Sequence, residues 1–406
     1  MRILDVSPRV TLPLSSGSRI RIYNLLSRLS ARNEVRQFSQ SRVLDLRRRG
    51  FESEKQVTPS YRDFRHRSLV SSSLCEIMER AGFGVPILCG YTLTAAKPRR
   101  LAEWADWADL VVVEFPWQYG YCRSIAKGKP VVLATHNVQV AKIRSAGNHG
   151  GLRQFWIAWT EALERRAVLD ADLVLAVSPE DKDEFVRFYG ADAEKIAVIP
   201  NGADVDLYQP ADEATRSALR SRLTLPRGPI VIFPAAQRQT PLVEAIKWVR
   251  RVAARLPEVT FLITGAIAKR PRVEGNLRFT GFVNDFASHL RSADCLLCPI
   301  DLGGGTKIKL IESAAAGLPI VAFAESVHGT TFRSGQHLLV ANKSVESLVA
   351  AVRLLLNDAD SAKRLGASAR AHAVQYHDWG RIARTMESSL LSLMESPGRR
   401  QAELLA

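Results

Sequence analysis

What most constrains this chain is a unit that recurs along its whole length: a short β-branched apolar run, then a longer amphipathic stretch. In the first half the runs are Ile3–Val6, Val35–Ser39, Leu110–Val113, Val131–Ala134, Leu173–Val177 and Ile196–Ile199. In the second half they are Ile230–Phe233, Thr260–Thr264, Leu277–Phe279, Cys295–Cys298, Ile320–Phe323 and Leu338–Val340. Runs this short and this uniformly apolar suit strands covered on both faces of a parallel sheet. The stretches between them read as amphipathic helices. In the segment 152–163, for example, Leu152, Phe155, Trp156, Trp159 and Leu163 fall on one helix face. Strand–helix alternation of this kind predicts α/β architecture, and two series of about six strands predict two doubly wound parallel-sheet domains.

The turn-rich stretch from Pro200 to Pro210 marks the boundary. The expected division is a first domain over 1–210, a second over 211–376, a closing helical segment over 377–395 and a polar tail over 396–406. At 406 residues and 46% apolar content, both domains can bury a full core. No apolar run approaches the length of a membrane span. The N-terminus lacks the apolar core of a signal peptide, and the five scattered cysteines fit a reducing compartment, so a cytoplasmic location is expected. The net charge is +15, and residues 1–100 alone carry 19 Lys/Arg against 8 Asp/Glu. That asymmetry favours an anionic partner.

Three segments are placed to carry chemistry. Pro13–Arg21 is a small-residue loop between a strand and a helix, whose free N–H groups suit an anion. Gly303–Val321 follows the strand Cys295–Ile300 and opens a helix. Its three glycines admit close backbone approach, its helix N-terminus and Lys307 and Lys309 add positive potential, and Lys309 and Glu312 share a helix face. Thr135-His136-Asn137 closes the strand Val131–Ala134, at the end of a parallel strand where such sheets bind ligands. Cys295 and Cys298 lie within a strand, point to opposite sides and have no second pair to complete a zinc site. No acidic loop motif suited to a metal–diphosphate is present, and no metal site is expected.

In order along the chain, Glu164–Ser178, Ile196–Asp204, Phe279–Val283 with Ala293-Asp294 and Cys298-Pro299, Gly303–Val321, and Ala369-Arg370 with Tyr376–Trp379 resemble the GT-B glycosyltransferases. The resemblance is to the large retaining family 4 (the group 1 type) and covers nearly the whole chain. It implies two Rossmann-like domains facing each other across a cleft. The donor, a UDP- or GDP-sugar, would bind the second domain, and a glycan or lipid-linked acceptor the first.

By the same resemblance Glu312 would hold the ribose hydroxyls. Gly304, Gly305 and Thr306 would meet the donor sugar and diphosphate, and Lys307, Lys309 and Arg238 would neutralise phosphate. Val283 would lie near the base, Gly17 at the diphosphate, and His136 would be the cleft histidine, catalytic together with Lys309 and Glu312. The implied reaction is hexosyl transfer with retention of configuration, without metal or other cofactor. Its expected setting is surface polysaccharide or glycoconjugate synthesis. Three positions depart from the family pattern: Gly304 stands for the first Glu of the E-x7-E motif, Gln139 for Glu in the histidine segment, and Ala235-Ala236 for a glycine turn.

The basic stretch 42–67, with the apolar positions Leu74, Ile77 and Met78 after it, is expected to meet an anionic membrane surface from the cytoplasmic side. Two other functions fit the same residues: a sugar-nucleotide epimerase on this fold, and a non-catalytic scaffold or membrane adaptor. Nucleic acid is not an expected partner, since no recognition module accompanies the charge.

Overall fold

The computed structural model describes residues 1–40, 53–66, 88–145, 151–236, 239–303 and 305–395. The predicted Arg238 and Gly304, the basic residues 42–49, and Leu74, Ile77, Met78 and the tail 396–406 lie outside these residues. The chain divides into two compact units. One holds Met1–Leu14, Ser18–Ile199 and the chain from Ala383 onward, and the other holds Ser15–Gly17 and Pro200–Ile382.

The first unit is built on β1 (Arg2–Ser7), β2 (Glu34–Gln40), β3 (Ser53–Thr58), β4 (Tyr61–His66), β5 (Leu110–Glu114), β6 (Val131–Ala134), β7 (Leu173–Ala176) and β8 (Ile196–Val198). They form one sheet in the order β3-β4-β2-β1-β5-β6-β7-β8. All neighbours are parallel except β3 and β4, which pair antiparallel at the edge. Residues 53–66 of the basic stretch thus form a hairpin, which the sequence reading did not foresee. An edge strand has only one neighbour and can stay polar, so Ser-Glu-Lys-Gln-Val-Thr shows no apolar run. Arg62 pairs with Glu54 at 3.7 Å and Arg65 with Asp63 at 3.2 Å, which turns part of the stretch's charge inward upon itself.

Side chains alternate across this sheet, and its two faces differ. Leu4, Val6, Phe38, Phe64, Val111 and Val113 belong to the apolar core. The opposite face carries a buried polar row, in which Asp63 is paired in register with Gln37, and Gln37 with Asp5. Gln37 Nε2 donates to Asp5 Oδ1 at 2.8 Å, while its Oε1 accepts from Tyr61 OH at 2.6 Å and Thr11 Oγ1 at 2.9 Å. Ser39 Oγ donates to Asp63 Oδ1 at 2.7 Å. Burial raises the Asp5 carboxyl well above its ordinary range, and neighbouring Glu114 adds to the shift. A polar row this deep is tolerated because its members bond one another.

The second unit contains β9 (Ile230–Pro234), β10 (Thr260–Thr264), β11 (Arg272–Glu274), β12 (Leu277–Gly281), β13 (Cys295–Cys298), β14 (Ile320–Ala322) and β15 (Leu339–Val340). Their order is β11-β12-β10-β9-β13-β14-β15, parallel except for the β11–β12 edge pair. The short polar β11 escaped the sequence reading for the same reason as β3. Cys295 and Cys298 are buried free thiols in β13, both pushed up by burial and therefore poor nucleophiles. The last helix, Trp379–Glu395, buries Trp379 and Ile382 in the second unit, and its Glu387 accepts from Asn33 Nδ2 of the first at 2.8 Å.

The stripe predicted on the segment 152–163 is not the face that the fold buries. The helix Gly151–Asp170 instead buries Thr160, Glu164, Ala167 and Val168, and Phe155 is 57% exposed. Glu164 is the reason. Its carboxylate accepts from the N–H groups of Gln139 (2.7 Å) and Val140 (3.1 Å) and from Tyr189 OH (2.9 Å), capping the next-door helix Gln139–Ser145.

Near the end of the second unit, His337, His372 and His377 gather around Phe332. His337 and His372 lie 4.3 Å apart between ring centroids. Arg333 is the charged group beside them. Burial lowers the pKa of all three; Arg333 adds to the shift of His337, and the two neighbouring imidazoles and Arg333 bring His372 to about 4. The folded chain therefore binds fewer protons here than the unfolded chain, whose histidines titrate near 6.5. The expected result is stability that is full above pH 6.5 and falls as the pH drops toward 4. The His372→Gln variant should flatten that acid limb in thermal melts, and an unchanged limb would contradict the assignment.

Candidate active site

In the second unit the candidate residues collect at the C-terminal ends of the parallel strands, where the turns after β9, β10, β12 and β13 emerge. After β13 the loop runs through Gly303 and Gly305, both at positive φ (86° and 82°), into the helix Ile308–Ala315. Lys307 Nζ folds back to donate to the carbonyls of Gly303 (3.0 Å) and Gly305 (2.8 Å), bracing the loop. Thr306 Oγ1 donates to Gly329 O at 3.1 Å. Lys309 Nζ donates to Pro234 O at 2.6 Å and sits 5.2 Å from the Phe233 ring centre, so it ties this helix to the end of β9. Burial lowers its pKa. One of its three N–H donors is spent on that carbonyl.

Glu312 lies one turn further along the helix and is buried. Its Oε1 accepts from Tyr208 OH at 3.0 Å. Burial pushes the Glu312 carboxyl up to about 7, against the pull of Tyr208 and Lys309. Tyr208 was not singled out in the sequence, because 104 residues separate it from its partner. Arg370 fixes it in turn, donating to Tyr208 O at 2.8 Å and to Ala315 O. The Ala369-Arg370 segment thus serves the site by holding the backbone under Tyr208.

Gly17 clusters with this unit, and a Cβ there would lie 3.4 Å from Ile308 Cδ1, at the start of the same helix. Val283 is half-buried in the turn after β12, next to Phe282, which is 60% exposed. The turn after β9 uses Ala235 and Ala236, and the glycine demanded by close approach is at position 265. Gly265 has φ 115°, and a Cβ there would fall 2.4 Å from Ala235 O.

The first unit supplies a separate group of buried titratable residues. His136 follows β6, and its Nε2 lies 2.6 Å from Glu114 Oε2 at the end of β5. Both side chains are buried. Phe115 stacks on the imidazole at 4.1 Å between centroids, from a backbone at φ 73° that is strained for a residue other than glycine. Arg21 of the helix Gly17–Leu29 is buried beside them and donates to Ile199 O at 2.6 Å.

Burial pushes Glu114 up to about 7, while Arg21 and a hydrogen bond from Asp5 pull it down. Burial lowers Arg21 to about 10 and drives His136 well below its ordinary value. A neutral His136 that donates Nε2–H to Glu114 keeps Nδ1 as an acceptor. Sequence reading found His136 but missed Glu114, Arg21 and Phe115. The available signal was an acid ending the run Leu-Val-Val-Val-Glu. Among the described residues, no three His, Cys, Asp or Glu side chains group as metal ligands.

Two family models match the chain. Glycosyltransferase Family 4 matches residues 15–207, and Glycosyl transferases group 1 matches residues 229–358, the stretch that carries Lys309 and Glu312. The chain belongs to glycosyltransferase family 4. A D-inositol 3-phosphate glycosyltransferase of Nocardia farcinica is 29% identical over 58% of the chain and 56% of its own length. A GDP-mannose-dependent alpha-(1-6)-phosphatidylinositol monomannoside mannosyltransferase of Mycobacterium tuberculosis is 28% identical over 56% of the chain and 65% of its own length. The match thus spans less than two thirds of either relative. The likeness in fold extends over 97% of the chain. Sucrose-phosphate synthase from Thermosynechococcus elongatus superposes with a TM-score of 0.77 at 18% identity, covering 97% of this chain and 99% of its own. Two parallel-sheet α/β domains of GT-B type are the result.

Proposed function

We propose that this chain transfers a hexosyl group from a nucleoside-diphosphate sugar to a glycan or lipid-linked acceptor, with retention at the anomeric carbon. The observation that carries the reading is the second-unit site. A braced glycine loop opens onto a helix whose next turn presents Lys309 and a Tyr208-anchored Glu312. In this reading Glu312 accepts the ribose hydroxyls, and the amides of Gly304, Gly305 and Thr306 meet the diphosphate. Lys309, Lys307 and Arg238 balance its charge, Val283 lies at the base, and Gly17 approaches the phosphates.

Charge grows on the diphosphate oxygens as the anomeric C–O bond breaks. Cations and helix-terminus amides supply the stabilisation, so no metal is required. The acceptor oxygen bonds to the same face of the anomeric carbon, and its proton passes to the departing phosphate. In this reading His136 is a catalytic residue supplied by the first unit. The inositol-phosphate and phosphatidylinositol names of the two relatives support a phosphorylated or lipid-linked acceptor, and the GDP-mannose name a GDP-sugar donor; surface glycoconjugate synthesis on the cytoplasmic side is the setting proposed with them.

A thermal-shift panel of UDP, GDP, ADP and their common sugar conjugates, with chelator present, tests the donor site. A nucleotide at 100 times its Kd stabilises the fold by about 2.7 kcal/mol, or about 2–4 °C. One nucleotide family should shift the melt and the others should not. No shift with any of them would sink the donor assignment in favour of a non-catalytic scaffold.

A further inference from the structure

The helix Gly151–Asp170 presents to solvent a stripe of the kind that usually faces a core. Phe155, Trp159, Ala162, Arg166 and Leu169 recur at helical spacing along one side. Phe155 is 57% and Leu169 44% exposed. Trp156 and Trp159 stack at 5.1 Å between centroids, and Phe155 lies 5.8 Å from Trp159. Tyr91, 50% exposed on the helix Leu88–Ala96, adds a fourth ring at 5.4 Å, and its hydroxyl accepts from Trp159 Nε1 at 3.2 Å. Isolated exposed apolar residues need no explanation, whereas a contiguous aromatic cluster marks an interaction surface.

The charges on this helix name the partner. Glu161 pairs with Arg144 at 2.7 Å, Glu164 is buried as a helix cap, and Asp170 accepts from Tyr119 and lies 3.4 Å from Arg123. Every carboxylate on the helix is engaged. Arg165 and Arg166 are exposed, and neither enters an ion pair among the described residues.

We propose that this aromatic and basic face seats at the headgroup level of an anionic lipid bilayer. Indole and phenol rings combine an apolar body with a polar tip and favour that depth. The two arginines can bury their stems and reach the lipid phosphates. A second copy of the chain is the poorer fit, because a two-fold contact would bring two more unpaired arginines to a face with no free carboxylate. This surface is distinct from the basic stretch 42–67. It involves neither Glu312 nor His136, so it stands or falls apart from the proposed transfer reaction.

Co-sedimentation of the full chain with two vesicle preparations tests the proposal: pure phosphatidylcholine, and phosphatidylcholine with roughly one-third phosphatidylglycerol. Binding is expected to the anionic vesicles only. The Phe155→Ser/Trp159→Ser variant should bind about 10-fold more weakly or worse, and Arg165→Gln/Arg166→Gln also about 10-fold. Phe155→Ser alone, at the more exposed position, provides the check should the double variant fold poorly, and should weaken binding several-fold. Glu312→Ala should bind vesicles like the parent. Three results would overturn the proposal: no binding to anionic vesicles, full binding by the Phe155 and Arg165/Arg166 variants, or a parent dimer in sedimentation velocity that the Phe155 variant dissociates.

Discussion

Replacing Glu312 by Gln is expected to cut kcat/KM for glycosyl transfer by about 100-fold while leaving the melting temperature within a few degrees of the parent. The two halves of that expectation have separate causes. A carboxylate holding two hydroxyls makes charge-assisted hydrogen bonds, each worth ~1.5–3 kcal/mol, and an amide makes neutral ones. The fold, in contrast, gains little from the charge. Burial has pushed this carboxyl up to about 7, so the protein already resists ionising it. Glutamine keeps an oxygen for Tyr208 OH, now 3.0 Å from Glu312 Oε1. Glu312→Ala should lose activity further and also cost stability, because it strands the buried Tyr208 hydroxyl.

The pH dependence follows from the same shift. Glu312 stabilises the fold fully below the unfolded value near 4.5, and that contribution is lost as pH rises through about 7. Donor affinity should run the other way and rise through the same range as the carboxylate forms. Transfer kinetics of Glu312→Gln within a fewfold of the parent would remove Glu312 from the site.

How much of this was legible in the sequence depended on whether one residue's surroundings could be read locally. The central strands were, because a strand covered on both faces must be apolar throughout, as in Val131–Ala134 and Ile230–Phe233. The edge strands Ser53–Thr58 and Arg272–Glu274 were not, because edges carry no such demand. Lys309 and Glu312 fell on one helix face by spacing alone, and the structure keeps them there. Their partners, Tyr208 in the turn-rich stretch after Pro200 and Pro234 at the end of β9, are distant in sequence and only the fold brings them together. The helix at 151–170 shows the opposite failure. Its aromatic stripe gave the stronger periodic signal, but the fully buried side is the one that carries Glu164, with its caps on Gln139 and Val140, which leaves Phe155 exposed and Trp156 and Trp159 half-buried. Hydrophobic periodicity reports which face is apolar, and a buried polar contact can decide which face turns inward.

The buried acids of the first unit carry the largest expected effect on stability. Asp5 and Glu114 are both enclosed, and burial raises both carboxyls, with Glu114 adding to the shift of Asp5. Two enclosed carboxyls that raise one another are expected to share one negative charge, which Arg21 feels through Glu114. Glu114→Gln alone should therefore cost little beyond its contact with His136. Asp5, relieved of a like charge, can ionise in its place and keep Arg21 compensated. Asp5→Asn alone should also be mild, since Glu114 retains the charge.

The double variant has no such escape. It removes the strongest anion acting on buried Arg21 and leaves the weaker pull of Asp181, and breaking a buried pair in this way costs up to ~3–5 kcal/mol. In a double-mutant cycle by urea unfolding, the double variant should lose clearly more than the sum of the singles. Additive losses would mean that the two carboxyls do not share one charge. The cycle also separates structure from chemistry at His136. If Glu114 fixes the imidazole through Nε2, Glu114→Gln should lower kcat while the fold stays intact, whereas Asp5→Asn should leave kcat near the parent's.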